Sequence, residues 1–473
     1  MAGIVSFGAY VPIYRLSREI LVQVWGGKGK GEKAVAGADE DSVTLGVEAA
    51  RDCLKGFDKK KVDALYFATT TAPYKEKQSA AIVAAACDLR EDIRAVDVTN
   101  SLRSGTVALT MALDAVKSGS AKTALVVVAD TRLAPPDTMY ESLFGDGAAA
   151  FLIGNDDIVV EIEGSSSFAA PFSDYWRLDS DKQIRWWEER LCREEGFVPY
   201  MTNAINQAMK AAKVAVKDIS KAVISSPDKG MAGDIAKKFK LDPKAQVQDL
   251  MFDNIGHTGC AQVPMALVMA LQNAKAGNKI LAANWADGAD ALVFKVTDKI
   301  SKMADRRGVK VYLASKVMLP NYGKYMHFRE LMEFEHELFF ERRTALAEVW
   351  RHRNLYFRFY GVKCGKCGHI IVPAPNTCIY CQADEKNFTE VPLADKRGKL
   401  VTYSMDVRTR AIDSPNVLAA VNFHDGGRFF SQMTDRDTEK LKVGLEMELT
   451  FRRIHMTQGI YNYFWKCRPV RGE

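Results

Sequence analysis

Up to about residue 300 the chain alternates short apolar runs with stretches whose apolar positions recur at helical spacing. Ala64–Ala68 and Ala124–Ala129 are brief and continuously apolar, which predicts strands buried on both faces. Ser42–Leu54, Ser79–Ala86 and Val263–Ala274 predict helices, and Lys221–Ile224 a further strand. Strands alternating with helices predict α/β layers. Residues 96–116 run apolar, polar, then apolar again. This predicts a tight passage from a buried strand into a buried helix, with Leu102 at its apex and the helix opening near Arg103. Such a turn presents a side chain at the positive end of a helix, and many enzymes place a nucleophile there. Leucine has no such chemistry.

Gly145–Gly154 reads as a glycine-rich turn feeding a buried strand, and Asp287–Phe294 repeats the design. Each comes late in a block of roughly 150 residues. An internal duplication and a chance recurrence of Gly-Asp turns both fit. Between the halves, Trp176, Trp186 and Trp187 lie among many charges and read as an amphipathic helical insertion, or as aromatics packing a helix on the core. Residues 296–312, rich in Lys, Arg and Asp, read as a domain boundary, and His327–Arg353 as a helical segment. From Lys399 the period changes to alternation: Leu400–Ser404 and Val417–Phe423 predict strands, and Asp425-Gly426-Gly427 a hairpin turn. A small barrel of about five strands fits that length. The expected parts are 1–155 and 156–300 as two α/β halves, 301–353 as linker and helix, 354–395 as a cysteine-bearing ribbon, and 396–473 as the barrel.

Composition narrows the class of partner. The 473 residues carry a net charge of +6 and are 47% hydrophobic and 26% charged. That bias is too mild to argue for nucleic acid. It suits an anionic small ligand, or simply a solvated surface. No run of 18 apolar residues predicts a membrane span. The chain enters a strand-like segment at Gly3-Ile4-Val5 without a signal peptide, so a cytoplasmic location is expected.

Four of the nine cysteines form Cys-x2-Cys-x10-Cys-x2-Cys: Cys364, Cys367, Cys378 and Cys381. Two such knuckles supply four thiolates to a tetrahedral Zn²⁺, and Gly365 and Gly368 permit the tight knuckle backbone. Free thiols or an iron centre are the alternatives. A closed four-sulfur site leaves no open position for catalysis, so zinc here is expected to be structural. His369 reads as a surface residue.

Elsewhere chemistry is sparse. His257 stands in a glycine-bounded loop, Gly256-His257-Thr258-Gly259, that opens a helix; a helix N-terminus lowers a histidine pKa and favours anions, while a buried structural histidine is the plain alternative. Ser225 ends a strand ahead of Pro227, and Cys260 is most simply a small core residue.

Taken with the opening Gly3–Pro12, Asn100–Thr106, Gly145–Ala149 and Gly256–Gly259, residues 1–300 resemble the thiolase superfamily, in its hydroxymethylglutaryl-CoA synthase and ketoacyl synthase branch. Residues 325–473 resemble the zinc-ribbon plus OB-fold module that accompanies thiolase-like acyl-CoA proteins. The resemblance implies a five-layered αβαβα fold, usually dimeric, with a CoA thioester as ligand and carbon–carbon bond chemistry. It also implies where the family's reactive residues fall. The nucleophilic cysteine falls on Leu102, the strand-end histidine near Ser225, the acidic glutamate near Thr71, and the Asn of ketoacyl synthases on His257.

Three functions follow from those departures. In the first, the chain is a pseudo-thiolase, a zinc-ribbon-bearing subunit that pairs with a separate cysteine-bearing thiolase in a complex making or cleaving carbon–carbon bonds of CoA thioesters. In the second, it is an aldolase or retro-aldolase on an acyl-CoA without an acyl-enzyme, with His257 or a tyrosine as base. In the third, it is a synthase with a displaced nucleophile, Cys260.

Overall fold

The computed structural model describes residues 2–332, 344–408 and 411–472, which fall into two compact units. The first comprises Met1–Ala36, Asp41–Ala84 and Leu89–Tyr322; the second comprises Gly37–Glu40, Ala85–Asp88 and Gly323–Glu473.

In the first unit the strands used below are β1 (Gly3–Tyr10), β2 (Ala64–Thr69), β3 (Arg94–Thr99), β4 (Ala124–Asp130), β5 (Gly147–Gly154), β6 (Val160–Ala169), β7 (Tyr175–Trp176), β8 (Arg185–Trp186), β9 (Lys221–Ile224), β10 (Lys279–Trp285) and β11 (Gly288–Val296). The helices used below are α1 (Ser42–Leu54), α2 (Ser79–Ala86), α3 (Ser104–Lys117), α4 (Val198–Ala212) and α5 (Gln262–Gln272). Nine strands join in the order β9-β10-β11-β6-β1-β5-β4-β2-β3.

That order contains one arrangement twice. In the first half β3, β2 and β4 run parallel, while β5 is antiparallel to both β4 and β1. In the second half β9 and β10 are parallel, and β11 is antiparallel to both β10 and β6. A parallel bridge from Ala222 to Val247 continues the second half on the side where β3 continues the first. β5 and β11 occupy equivalent places, so the two Gly-Asp turns that precede them mark a duplication and not a coincidence.

The layers follow from burial. α1 is buried along almost its whole length and packs on β1, β4 and β5. Its start is fixed by a capping box, Asp41 accepting from Thr44 N–H while Thr44 Oγ1 accepts from Asp41 N–H. α3 packs on β2, β4 and β5 and touches α5, which in turn packs on β9 and β10; α4 covers β6, β10 and β11. The stack is therefore helix, sheet, helix pair, sheet, helix: the expected five-layered αβαβα fold. Within the central pair, a Cβ at Gly105 would lie 2.7 Å from the Cys260 carbonyl oxygen. Only a glycine lets the α3 start approach the segment opening α5, and that approach shapes the site.

Two expected elements differ. The tryptophan-rich insertion is not helical at Trp176 and Trp186: β7 and β8 pair antiparallel as a short hairpin, and helix begins only at Glu189. The intervening turn is held by Arg185 donating to Asp181 at 2.8 and 2.9 Å, a contact that hydrophobic spacing does not reveal. The helix expected over His327–Arg353 is interrupted. Helical segments cover Tyr322–Phe328 and Leu346–Arg351, and residues 333–343 lie outside the described residues.

The second unit holds a three-stranded ribbon and a barrel. The ribbon strands are β12 (Tyr360–Cys364), β13 (Ile370–Ile371) and β14 (Phe388–Pro392), in the order β13-β12-β14. The barrel strands are β15 (Gly398–Asp406), β16 (Asn416–Phe423), β17 (Arg428–Met433), β18 (Glu446–Thr457) and β19 (Ile460–Pro469). They close as β15-β16-β17-β19-β18 around Val417, Val421, Phe451 and Trp465. This is the five-stranded small barrel read from the alternation after Lys399. Among the described residues no helix is long and apolar enough to cross a membrane.

Candidate functional site

A cleft of about 630 Å³ opens at the turn between β3 and α3, and Leu102 lines it. Its other walls are the segment after β2, the β7–β8 hairpin and the turn ahead of β11. The turn runs through Asn100, whose φ of 72° is left-handed, and α3 begins at Ser104 with Arg103 as its N-cap residue. Asparagine tolerates that conformation better than most side chains, which lets the strand pass into the helix within a few residues.

The turn is clamped from beneath. Arg103 is nine-tenths buried and donates to Asp290 at 2.7 Å and to Ser167 Oγ at 3.2 Å. Asp290 accepts further hydrogen bonds from Thr106 Oγ1 (2.7 Å) and Ser167 Oγ (2.6 Å). Asn284 Nδ2 donates to the Leu102 carbonyl, and Ser101 Oγ donates to Asp287 at 2.9 Å. Residues of α3, β6, β10 and β11 thus hold Leu102 in place with no reference to what its side chain can do.

Thr71 carries no acid. Thr69, Thr70 and Thr71 all donate hydroxyl hydrogen bonds to the buried Asp130 carboxylate at 2.9–3.0 Å. Asp130 also accepts from the Thr70 and Cys260 backbone N–H groups. Gly259, at φ 60°, sits where a Cβ would fall 2.2 Å from Asp130 Oδ2, so this contact is what fixes glycine there.

His257 and Ser225 are buried and are not among the residues lining the Leu102 cleft. The Gly259 N–H donates to His257 Nδ1 at 3.1 Å, which places the ring proton on Nε2. The ring packs beside Phe144 and Phe252. Burial first, and the nearby Arg132 charge second, hold its pKa down to about 3. It is therefore neutral at ordinary pH: a hydrogen-bond donor through Nε2, and a poor base. Ser225 Oγ accepts from the Trp285 N–H at 2.8 Å, a structural contact between β9 and the end of β10. Cys260 is fully buried, its Sγ faces the carbonyls of Ala68 and Ala129, and burial pushes the thiol well up. A displaced nucleophile at Cys260 lacks both access and a thiolate, which removes the geometric support for that function.

The four ribbon cysteines converge. Their sulfurs lie within 4.8 Å of one another, with Cys364 to Cys381 at 3.7 Å and Cys367 to Cys378 at 3.6 Å. A tetrahedral Zn–S bond of about 2.3 Å requires sulfurs about 3.8 Å apart, so the donor set fits the ion. Knuckle hydrogen bonds from Gly368 N–H to the Cys364 carbonyl and from Gln382 N–H to the Cys378 carbonyl shape both turns.

Comparison with known proteins gives the site its kinship. The 3-oxoacyl-[acyl-carrier-protein] synthase III model matches residues 96–169, and its C-terminal counterpart matches 209–293. Hydroxymethylglutaryl-CoA synthase of Methanocaldococcus jannaschii is 32% identical over 342 residues, 70% of this chain and 99% of that protein. The chain belongs to the hydroxymethylglutaryl-CoA synthase family. The same enzyme of Pyrococcus furiosus is 33% identical over 311 residues, 64% of this chain and 89% of that protein. Among solved structures, a hydroxymethylglutaryl-CoA synthase complexed with CoA superposes with a TM-score of 0.62 at 18% identity, covering 72% of this chain and 95% of that one. The 3-oxoacyl-[acyl-carrier-protein] synthase III of Aquifex aeolicus gives 0.57 at 21% identity, covering 62% and 100%. These two likenesses show the shared fold.

Within this thiolase-superfamily, carbon–carbon bond-forming family, the cleft contains residues that sequence reasoning passed over. Asp287, in the turn ahead of β11, lines the cleft, and Asp290, within β11, is buried in the clamp; the sequence marked both only as part of a repeat. Asp174, beside β7, had no signal at all: nothing in Ser173-Asp174-Tyr175 separates a cleft carboxyl from a surface one. The clamp from Arg103 spans 187 residues in sequence, and only the fold brings its partners together.

Proposed function

We propose that this chain holds a CoA thioester in the cleft above Leu102 without forming an acyl-enzyme there. It acts as the pseudo-thiolase, zinc-ribbon-bearing subunit of an assembly whose separate cysteine-bearing thiolase makes or cleaves carbon–carbon bonds of CoA thioesters. The observation that carries this is Leu102, a side chain without a nucleophile, clamped at the family's turn by Arg103 and Asp290. Thr71, tied to Asp130, and Ser225, bonded to the Trp285 N–H, fill the other expected positions with structural contacts. CoA as ligand is supported by the family and by the CoA complex of a protein of the same fold. Lys75 and Arg177 lie at the cleft, Lys75 paired with Asp179 at 3.2 Å.

Zn²⁺ fits the four ribbon sulfurs and supplies a cross-link there, leaving no coordination position for substrate. A second copy is supported by β3, an edge strand with half-exposed residues on a sheet that β2 completes on one side only. His257 is suited to an Nε2–H donor's role, not a base's.

A second function, an aldolase acting without an acyl-cysteine, is favoured by one observation: the Asp174 carboxyl in the same cleft. The test is purification of the tagged chain from its native cell, with mass spectrometry of partners and bound thioesters. The subunit function requires a co-purifying thiolase that bears an active cysteine. A solitary chain that turns over acyl-CoA through an acylated cysteine contradicts it.

A further inference from the structure

One carboxyl in the cleft has no partner for half of its acceptors. Asp174 is only 5% exposed and lines the same cleft as Leu102. Its Oδ1 accepts from the Tyr175 N–H at 2.7 Å, and its backbone carbonyl accepts from the Trp187 N–H, which fixes the residue at the base of the β7–β8 hairpin. Oδ2 is buried and has no hydrogen-bond partner. A buried carboxylate oxygen left bare costs stability, and such a cost is tolerated where the group has a task.

We propose that Asp174 is the proton-transfer group of this cleft, taking and returning a proton on a CoA thioester bound above Leu102. The proposal rests on the CoA-thioester occupancy proposed above and deepens its second form. In the forward step the Asp174 carboxylate removes a proton from the carbon next to the thioester carbonyl. The C–H electron pair forms the enolate C=C bond, and the carbonyl π pair moves to the thioester oxygen. Return of the proton regenerates the thioester, so the net result is hydrogen exchange with solvent. With an aldehyde or ketone acceptor, the enolate carbon bonds to the acceptor's carbonyl carbon, and the new alkoxide takes the proton from Asp174. The sum is an aldol addition with no leaving group, no oxidant and no acyl-enzyme. In reverse, Asp174 takes the β-hydroxyl proton and the carbon–carbon bond breaks.

Its surroundings suit that task. Burial, the largest effect, and the Asp287 charge raise the carboxyl to about 6, while the Tyr175 N–H and Arg132 oppose the rise. Tyr140, Glu189 and Cys192 line a second, much smaller cavity that Asp174 also borders, and Tyr175 and Arg177 flank it on its own loop. A base with a pKa near the working pH is both available and strong enough to matter. His257, held near 3, is not.

The experiment uses the full chain with acetyl-CoA and butyryl-CoA in deuterated buffer. Binding is measured by calorimetry and α-deuteration by mass spectrometry in matched samples. The expected result is binding with exchange, a loss of about 10²-fold or more in Asp174→Asn at unchanged affinity, and partial rescue in Asp174→Glu. The exchange rate should rise with pH through a midpoint near 6. Asp287→Asn, which removes a negative charge that raises that midpoint, should move it to lower pH. Matching melting curves show that the variants fold. Binding with no exchange, or equal exchange in wild type and Asp174→Asn, overturns the proton-transfer role alone. No binding of either thioester overturns the CoA occupancy, and this role with it.

Discussion

Removing the charge of Asp290 tests whether the Leu102 turn is held by structure or by chemistry. Asp290 is 3% exposed and accepts from Arg103, Thr106 and Ser167 at 2.6–2.7 Å. In Asp290→Asn the shape persists, but the Arg103 guanidinium is left buried beside a neutral amide. Breaking a buried pair by removing one partner costs about 3–5 kcal/mol. The retained amide oxygen still accepts one hydrogen bond, so the lower end, about 3 kcal/mol, is expected. Replacing both partners, Arg103→Met with Asp290→Leu, removes the unpaired charge and should recover most of that loss. Wild type, Arg103→Met, Asp290→Leu and the double variant form a cycle whose coupling should exceed about 1 kcal/mol. Urea titration followed by tryptophan fluorescence reads these four proteins and Asp290→Asn; Trp285 lies at the end of β10, next to Asn284, which bonds the Leu102 carbonyl. An Asp290→Asn midpoint equal to wild type, or a double variant as weak as the sum of the singles, refutes the clamp.

Zinc should be present at one ion per chain. Its removal by chelation, or Cys364→Ser, should unfold the ribbon at a cost on the order of 10 kcal/mol while leaving the αβαβα unit folded, as read by metal analysis and limited proteolysis. His257 should make the fold sensitive to acid. Its folded pKa of about 3 lies below the ordinary value of 6.5, so the unfolded chain binds the proton first. That contribution is complete above pH 6.5 and is lost as pH falls toward 3. Between pH 7 and pH 5 the wild type should lose about 2 kcal/mol more than His257→Gln, measured by denaturant titration at each pH.

The layers were legible because each helix and strand there is long, buried and periodic. Ser42–Leu54 and Lys221–Ile224 lie where spacing placed them, and the cysteine ribbon was legible because four sulfurs that converge on one point require paired Cys-x2-Cys turns. The β7–β8 hairpin was not, since two-residue strands carry no period and are fixed by Arg185 and Asp181. At the site, sequence marked the turn that presents Leu102 to the cleft. It did not expose Asp174 or the Arg103–Asp290 clamp, because a cleft carboxyl is defined by burial and by partners distant in sequence.

The most direct measurement of the central claim is intact-protein mass spectrometry of the full chain after incubation with acetyl-CoA, beside calorimetric titration of the same ligand. Saturable binding with no mass gain on the protein is the predicted result: a thioester held over Leu102 and never transferred to it. An acetyl group carried covalently on any cysteine, Cys260 above all, would contradict it.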